Sequence, residues 1–184
     1  VCKNIIEHYN GNIRVEAAEN IGTIFYITFP SHTSAETKST KDTIRVLIVD
    51  DQELSRLGFQ HMLRNLDGFK VVGLAENGVK AYSKAAQLKP DVILMDIKMP
   101  EMDGYTATHV IKAANPEIKI VMLSALQGNG EVTAAFNAGA DGYCTKDITA
   151  FQLGEALRTV VEGHQWIDPV LQNTPKSSDS LFAA

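Results

Sequence analysis

From Ile44 onward, short apolar runs alternate with longer stretches in which apolar and polar residues mix at helical spacing. That alternation predicts strands and helices in turn. The runs 45–49, 70–75, 91–95, 119–123 and 142–145 are five strand candidates. Val46, Leu47, Ile48 and Val49 are consecutive aliphatics with no polar alternation, which predicts a strand covered on both faces. Between the runs, Phe59, Met62, Leu63 and Leu66 recur at the i, i+3, i+4, i+7 spacing of a helix packed on a sheet, and Leu153, Leu157, Val160 and Val161 repeat it. Thr149 followed by Gln152 three residues on predicts a capping box at the start of the last helix. The pattern predicts an α/β fold, a doubly wound five-stranded parallel sheet over residues 44–167.

Upstream the pattern changes. A helix-like start with Ile5 and Ile6 precedes two β-rich runs, 13–17 and 23–29, joined by a turn with Asn20 and Gly22, so residues 1–30 read as a helix end plus a hairpin. Such a unit is too small to bury a core of its own. Residues 31–43 hold no large apolar residue and are rich in Ser, Thr and Lys, the composition of a flexible linker. Residues 168–184 lose periodicity and read as a tail.

Composition narrows the function classes. At 184 residues the chain accommodates one full domain and part of another. Its 45% hydrophobic and 21% charged residues are those of a soluble globular protein, no apolar run is long enough to cross a bilayer, and no secretory pattern opens the chain, so a cytoplasmic address without membrane insertion is expected. The formal net charge of −5, with Lys and Arg scattered, argues against direct nucleic-acid binding by this chain. Cys2 and Cys144 form no metal-binding or disulfide spacing, and none of His8, His32, His61, His109 and His164 has a metal-ligand spacing. Val1 is not a methionine, which suggests an unusual start or a piece of a longer chain.

In an open parallel sheet, ligands bind beyond the carboxyl ends of the strands. There the first strand ends in Asp50 and Asp51, the third in Asp96, the fourth in Ser124 and the fifth in Lys146. Three converging carboxylates repel one another unless a hard divalent cation sits among them, and magnesium is the expectation. A magnesium ion held by carboxylates leaves positions for phosphate oxygens, Lys146 adds positive charge, and the Asp96 carboxylate can act as nucleophile toward phosphorus to give an acyl phosphate. A plainer reading makes Asp50 and Asp51 caps of the first helix, and Asp96 a solvated turn residue.

The sequences VLIVDD, LMDIKMPEMDG, MLSA and GYCTKD, with 45, 28 and 22 positions separating Asp51, Asp96, Ser124 and Lys146, resemble the receiver domain of two-component response regulators over residues 44–167. The resemblance implies a flavodoxin-like strand order 2-1-3-4-5. It also implies that Asp96 is the phosphorylation site, taking its phosphoryl group from a phosphohistidine on a sensor histidine kinase or a histidine phosphotransfer domain. Asp51, Asp96 and the backbone carbonyl of Lys98 would hold Mg2+, with Asp50 acting through water. Ser124 would bond the phosphoryl oxygen and Tyr143 would swing toward the vacated space, switching a partner-binding face, with a homodimer as one outcome. Lys146 is followed by Asp147 where many receivers carry Pro, a form that resembles the subfamily joined to a helix-turn-helix DNA-binding output. Lys98 and Leu126 flank the pocket as residues that would tune hydrolysis.

The segment IIEHYNGNIRVEAAENIGTIFYITFP is similar to the last helix and hairpin of the ATP-binding domain of sensor histidine kinases, through Gly11, Ile13, Val15, Gly22, Thr23, Phe25 and Pro30, with Asn20 in place of a Gly. The family's nucleotide-binding motifs do not occur in these thirty residues, so the segment would not bind ATP by itself. Rival readings are the end of a hybrid histidine kinase, a receiver used only as a dimerisation surface, and a metal-dependent phosphatase with an Asp nucleophile, the last disfavoured because Lys98 stands where a second Asp is required. As a receiver the chain is no enzyme beyond phosphoryl transfer to, and hydrolysis from, its own Asp96.

Overall fold

The computed structural model describes residues 12–18, 22–28, 43–125 and 129–172. The expectations for Cys2, Ile5, Ile6, His8, Asn20, His32, the linker, Leu126 and the tail beyond 172 lie outside the described residues. The chain divides into two compact units, Val1–Thr40 and Lys41–Ala184. In the first, strands β1 (Asn12–Ala18) and β2 (Gly22–Thr28) pair antiparallel, with Val15 opposite Phe25.

In the second unit, the alternation of apolar runs and helices becomes β3 (Ile44–Val49), α1 (Glu53–Arg64), β4 (Phe69–Ala75), α2 (Gly78–Leu88), β5 (Val92–Asp96), α3 (Gly104–Ala114), β6 (Lys119–Ser124), α4 (Asn129–Asn137), β7 (Gly142–Thr145), α5 (Ala150–Val161), β8 (Trp166–Ile167) and α6 (Pro169–Gln172). All paired strands run parallel, in the order β4-β3-β5-β6-β7-β8. The five expected strands are present in the expected order, and a sixth, β8, adds to the edge beside β7.

The continuous apolar run of β3 is explained by its two covered faces. Val46 and Ile48 join Phe59, Leu63, Leu153 and Leu157 in a core under α1 and α5, while Leu47 and Val49 join Ala81, Ala85, Ala107 and Ile111 in a core under α2 and α3. All four residues are fully buried, and burying each such side chain is worth about 1.5–3 kcal/mol. Helix α1 ends at Arg64, so Leu66 lies just beyond it, yet still packs against the same core. The capping box at α5 is formed: Thr149 accepts the Gln152 amide at 3.3 Å, and Gln152 Oε1 accepts the Thr149 amide at 3.3 Å.

Ordered structure continues past Ile167, where the sequence suggested a tail. Asp168 is buried and accepts the Thr145 amide at 3.1 Å and the Thr145 hydroxyl at 2.8 Å, while Leu171 packs into the core under α2, α3 and α4. These contacts hold α6 and β8 to the exit of β7. Among the described residues, no helix is long and apolar enough to cross a membrane.

Candidate functional site

The site is built where strands end. Asp50 follows β3, Asp96 closes β5, Ser124 closes β6 and Lys146 follows β7. Because the strands are adjacent and in register, with Asp96 beside Leu123 and Ser124 beside Thr145, the four residues come to one edge. Backbone bonds across the loops tighten the arrangement: the Ile97 amide donates to the Leu123 carbonyl at 3.3 Å and the Lys146 amide to the Ser124 carbonyl at 2.8 Å.

One glycine is required by close approach. A Cβ on Gly104 would lie 2.1 Å from the backbone oxygen of Asp96, so the loop from Asp96 into α3 can fold this tightly only with no side chain there. The Gly104 amide donates to the Ile97 carbonyl at 2.8 Å, and Asp103 caps α3 by accepting the Thr106 amide at 2.7 Å.

Lys146 Nζ lies 2.7 Å from Asp50 Oδ2 and 3.0 Å from Asp96 Oδ1, bridging the two buried carboxylates. Asp50 is engaged further, accepting the Gln52 amide at 2.9 Å and the Ser55 hydroxyl at 2.6 Å. The helix-start reading and the pocket reading of Asp50 therefore coexist, although Gln52 is the residue at the N-cap of α1. Asp51 is exposed at the rim, yet one carboxylate oxygen from each of Asp50, Asp51 and Asp96 falls within a common span of 4.8 Å. Three hard oxygen donors that close, with one open to water, fit a divalent cation such as magnesium.

Burial holds the Asp96 carboxyl above the usual carboxylate range; the Lys146 hydrogen bond opposes that rise, and the negative charge of Asp50 adds to it. Burial alone would lower the Lys146 ammonium, but its hydrogen bonds to Asp50 and Asp96 prevail and its pKa is raised. The pocket thus pairs a firmly cationic lysine with a carboxylate that is costly to ionise.

Ser124 and Tyr143 meet on a residue the motifs did not single out. Glu131, in the first turn of α4, accepts the Ser124 hydroxyl and the Tyr143 hydroxyl on the same oxygen, Oε2, each at 3.0 Å. Tyr143 is fully buried, and burial pushes its hydroxyl far above the ordinary phenol range; a hydrogen bond with Ser124 opposes that rise, while Glu131 adds to it. Tyr143, expected to swing toward space vacated by Ser124, is buried in this structure. Lys98 sits two residues beyond Asp96 with an exposed side chain, and among the contacts described it joins neither group. His61, His109 and His164 are exposed, and Cys144 is a buried free thiol. Glu131 was hard to foresee because a lone Glu seven positions past Ser124 has no distinguishing spacing.

The sequence profile of the response regulator receiver domain matches residues 46–158. The chain is 41% identical over 147 residues to response regulator GacA of Pseudomonas protegens, covering 77% of this chain and 69% of that protein. It is 41% identical over 126 residues to response regulator protein VraR of Staphylococcus epidermidis, covering 68% of this chain and 60% of that one. Among solved structures it is similar to a LuxR-family two-component response regulator from Aurantimonas sp., with a TM-score of 0.68 and 29% identity over 71% of this chain and 93% of the other. The chain therefore spans about 60 to 69% of these two curated relatives.

Proposed function

The chain belongs to the response regulator receiver family, and from that premise we propose that it takes a phosphoryl group onto Asp96 from a phosphohistidine. The single observation that carries this reading is the bridge of Lys146 to both Asp96 and Asp50, within a set of carboxylates close enough to share a cation. In the transfer, one Asp96 oxygen forms a bond to phosphorus as the phosphorus–nitrogen bond of the donor imidazole breaks and the ring nitrogen keeps the electron pair. The product is an acyl phosphate on Asp96. Phosphoryl transfer needs positioning and charge neutralisation more than covalent assistance. Lys146 holds the attacking carboxylate in place and offers its ammonium to the phosphoryl oxygens as charge shifts onto them. Ser124, one strand away, offers a hydroxyl donor. Asp51, Asp96 and the Lys98 carbonyl, with Asp50 through water, would hold Mg2+, which supplies further neutralisation of the phosphoryl oxygens when bound.

The donor is a sensor histidine kinase or a histidine phosphotransfer domain. The first turns of α1 and α5, which follow Asp51 and Lys146 along the chain, expose Leu54 (84%) and Phe151 (73%) as a face for such a partner. Apolar side chains so placed suit a protein donor better than a small one. The reading further places the chain in the cytoplasm, gives it no enzymatic action beyond transfer to and hydrolysis from Asp96, and makes a partner face or homodimer the readout. The antiparallel pairing of β1 with β2 favours a second reading, in which this receiver follows the kinase part of a hybrid histidine kinase.

The test is the intact mass of the protein after incubation with acetyl phosphate, with and without magnesium, beside Asp96→Asn. A magnesium-dependent gain of one phosphoryl group that disappears in the variant is expected. A folded parent that gains nothing, or a variant that gains as much, contradicts the reading.

A further inference from the structure

Strand β7 delivers Lys146 to the acidic edge, and its last residue, Thr145, is held from the segment that follows β8. Thr145 is buried and pairs with Ser124 on one side. On the other side, β8 stops pairing at Ile167, opposite Tyr143, and Pro169 starts α6. The Thr145 amide would be left there without a backbone acceptor, which folded chains avoid. The Asp168 carboxylate fills that place: its Oδ2 accepts the Thr145 amide at 3.1 Å and the Thr145 hydroxyl at 2.8 Å. Helix capping does not account for this, because the cap uses the other oxygen, Oδ1, which accepts the Val170 amide at 3.1 Å. A serine would cap α6 without burying a charge. Asp168 is 2% exposed, and among the described residues the donors it meets, the amides of Thr145 and Val170 and the Thr145 hydroxyl, carry no charge. Burying an acid without a cationic partner is costly, so the demand that Asp168 answers lies at Thr145 rather than at α6.

Resting on the phosphoacceptor reading above, we propose that Asp168 is a positioning residue for Lys146: by holding Thr145 at both its amide and its hydroxyl, it sets the point from which the lysine reaches Asp50 and Asp96. The Lys146 amide is anchored inward on the Ser124 carbonyl at 2.8 Å, and the Thr145 carbonyl accepts the Ile148 amide at 3.2 Å. Asp168 adds the outward anchor, at the residue just before the lysine. A lysine stem is flexible, so an ammonium held 2.7 Å from Asp50 and 3.0 Å from Asp96 depends on where its backbone stands. A small displacement there takes the positive charge away from the reacting oxygens. The same carboxylate joins β8 and α6 to the pocket, so the stretch after the last long helix governs how the acceptor aspartate is paired.

The experiment labels the full chain briefly with acetic anhydride, without any phosphodonor, and compares Lys146 with the exposed Lys70 by peptide mass. A second arm measures the rate of phosphoryl gain from acetyl phosphate with magnesium. Parent, Asp168→Ala, Thr145→Val and Thr145→Ser are compared, with each fold checked by circular dichroism and urea denaturation. Loss of the anchor frees the ammonium from its two carboxylates, so in Asp168→Ala Lys146 should label about threefold faster relative to Lys70, and phosphoryl gain should slow about tenfold. Thr145→Val, which removes only the hydroxyl donor, should move both readouts the same way by less, and Thr145→Ser, which keeps that donor, should match the parent. A purely structural role lowers the urea midpoint of Asp168→Ala while Lys146 labelling and phosphoryl gain stay as in the parent, and that result overturns the proposal. Should Asp168→Ala fail to fold, parent-like labelling of Lys146 in Thr145→Val overturns it instead. A folded parent that gains no phosphoryl group contradicts the Asp96 chemistry itself, and the labelling arm still decides whether Asp168 holds Lys146.

Discussion

Two sets of carboxylates sit at opposite ends of the same sheet and are used in opposite ways. At the strand starts, Asp91 accepts the Arg45 amide at 2.9 Å and Asp141 accepts the Ile120 amide at 2.8 Å. Asp141 is further paired with Lys112 at 2.6 Å and Lys119 at 3.7 Å. These acids stitch neighbouring strands together, and each negative charge answers to donors placed for it. At the strand ends, Asp50 and Asp96 share one lysine, and burial holds the Asp96 carboxyl above its usual range. A carboxylate kept where it is costly to ionise contributes little to folding, and such arrangements are retained where chemistry needs them. The difference separates acids that serve the sheet from acids that serve the site.

Four substitutions and one addition bear on that separation. The largest effect is expected from Gly104→Ala, which shows that the functional end still has a structural demand. A methyl group 2.1 Å from the Asp96 carbonyl oxygen meets backbone that cannot turn aside. A loss of about 3 kcal/mol in urea denaturation is expected, and a change within 0.5 kcal/mol, roughly the scatter of neutral surface substitutions, would remove the close-approach argument. Next, Asp141→Ala leaves the Ile120 amide without its acceptor and two lysines without their partner, and should lower stability by about 1–3 kcal/mol in the same assay.

Magnesium should separate the two ends by a ligand effect. A ligand at a hundredfold excess over its Kd stabilises the folded state by about 2.7 kcal/mol. The parent and Asp141→Ala should both show a magnesium-dependent rise in Tm, while Asp51→Asn should show a much smaller one. An equal rise in Asp51→Asn would move the cation away from the acidic edge.

The smallest effect has the opposite sign. Asp96→Asn should be more stable than the parent at neutral pH in the absence of magnesium, by about 1 kcal/mol. The folded-state pKa of Asp96 is raised, so the parent keeps its full stability while Asp96 is protonated in both states and loses part of it as pH rises through that raised value. The advantage of Asp96→Asn should therefore shrink as pH falls through the carboxylate range. Parallel pH–stability curves for the two proteins would show that burial of this acid carries no such cost.

How much was legible beforehand follows from the range of each signal. Strand β3 could be read from Val46, Leu47, Ile48 and Val49 alone, because a run buried on both faces has no polar alternation. The cap of α5 was legible because both its partners lie within three residues. Strand β8 was not, since Trp166 and Ile167 are too few to show a period, and the buried Asp168 is tied to two donors of Thr145, distant in sequence. In the pocket, strand ends named Asp50, Asp96, Ser124 and Lys146, but the bridging geometry of Lys146 and the shared acceptor at Glu131 depend on how the loops close over the sheet. Short-range patterns reveal elements; contacts made by single side chains across loops leave no pattern.

The most direct test of the account is chemical location of the phosphoryl group. After incubation with acetyl phosphate and magnesium, borohydride reduces an acyl phosphate of aspartate to homoserine, and peptide mass mapping finds the altered residue. Homoserine at position 96, absent without the phosphodonor, is the expected result. Homoserine at Asp50 or Asp51 instead, or at no aspartate while the protein still gains phosphoryl mass, would contradict the assignment of Asp96 as the acceptor.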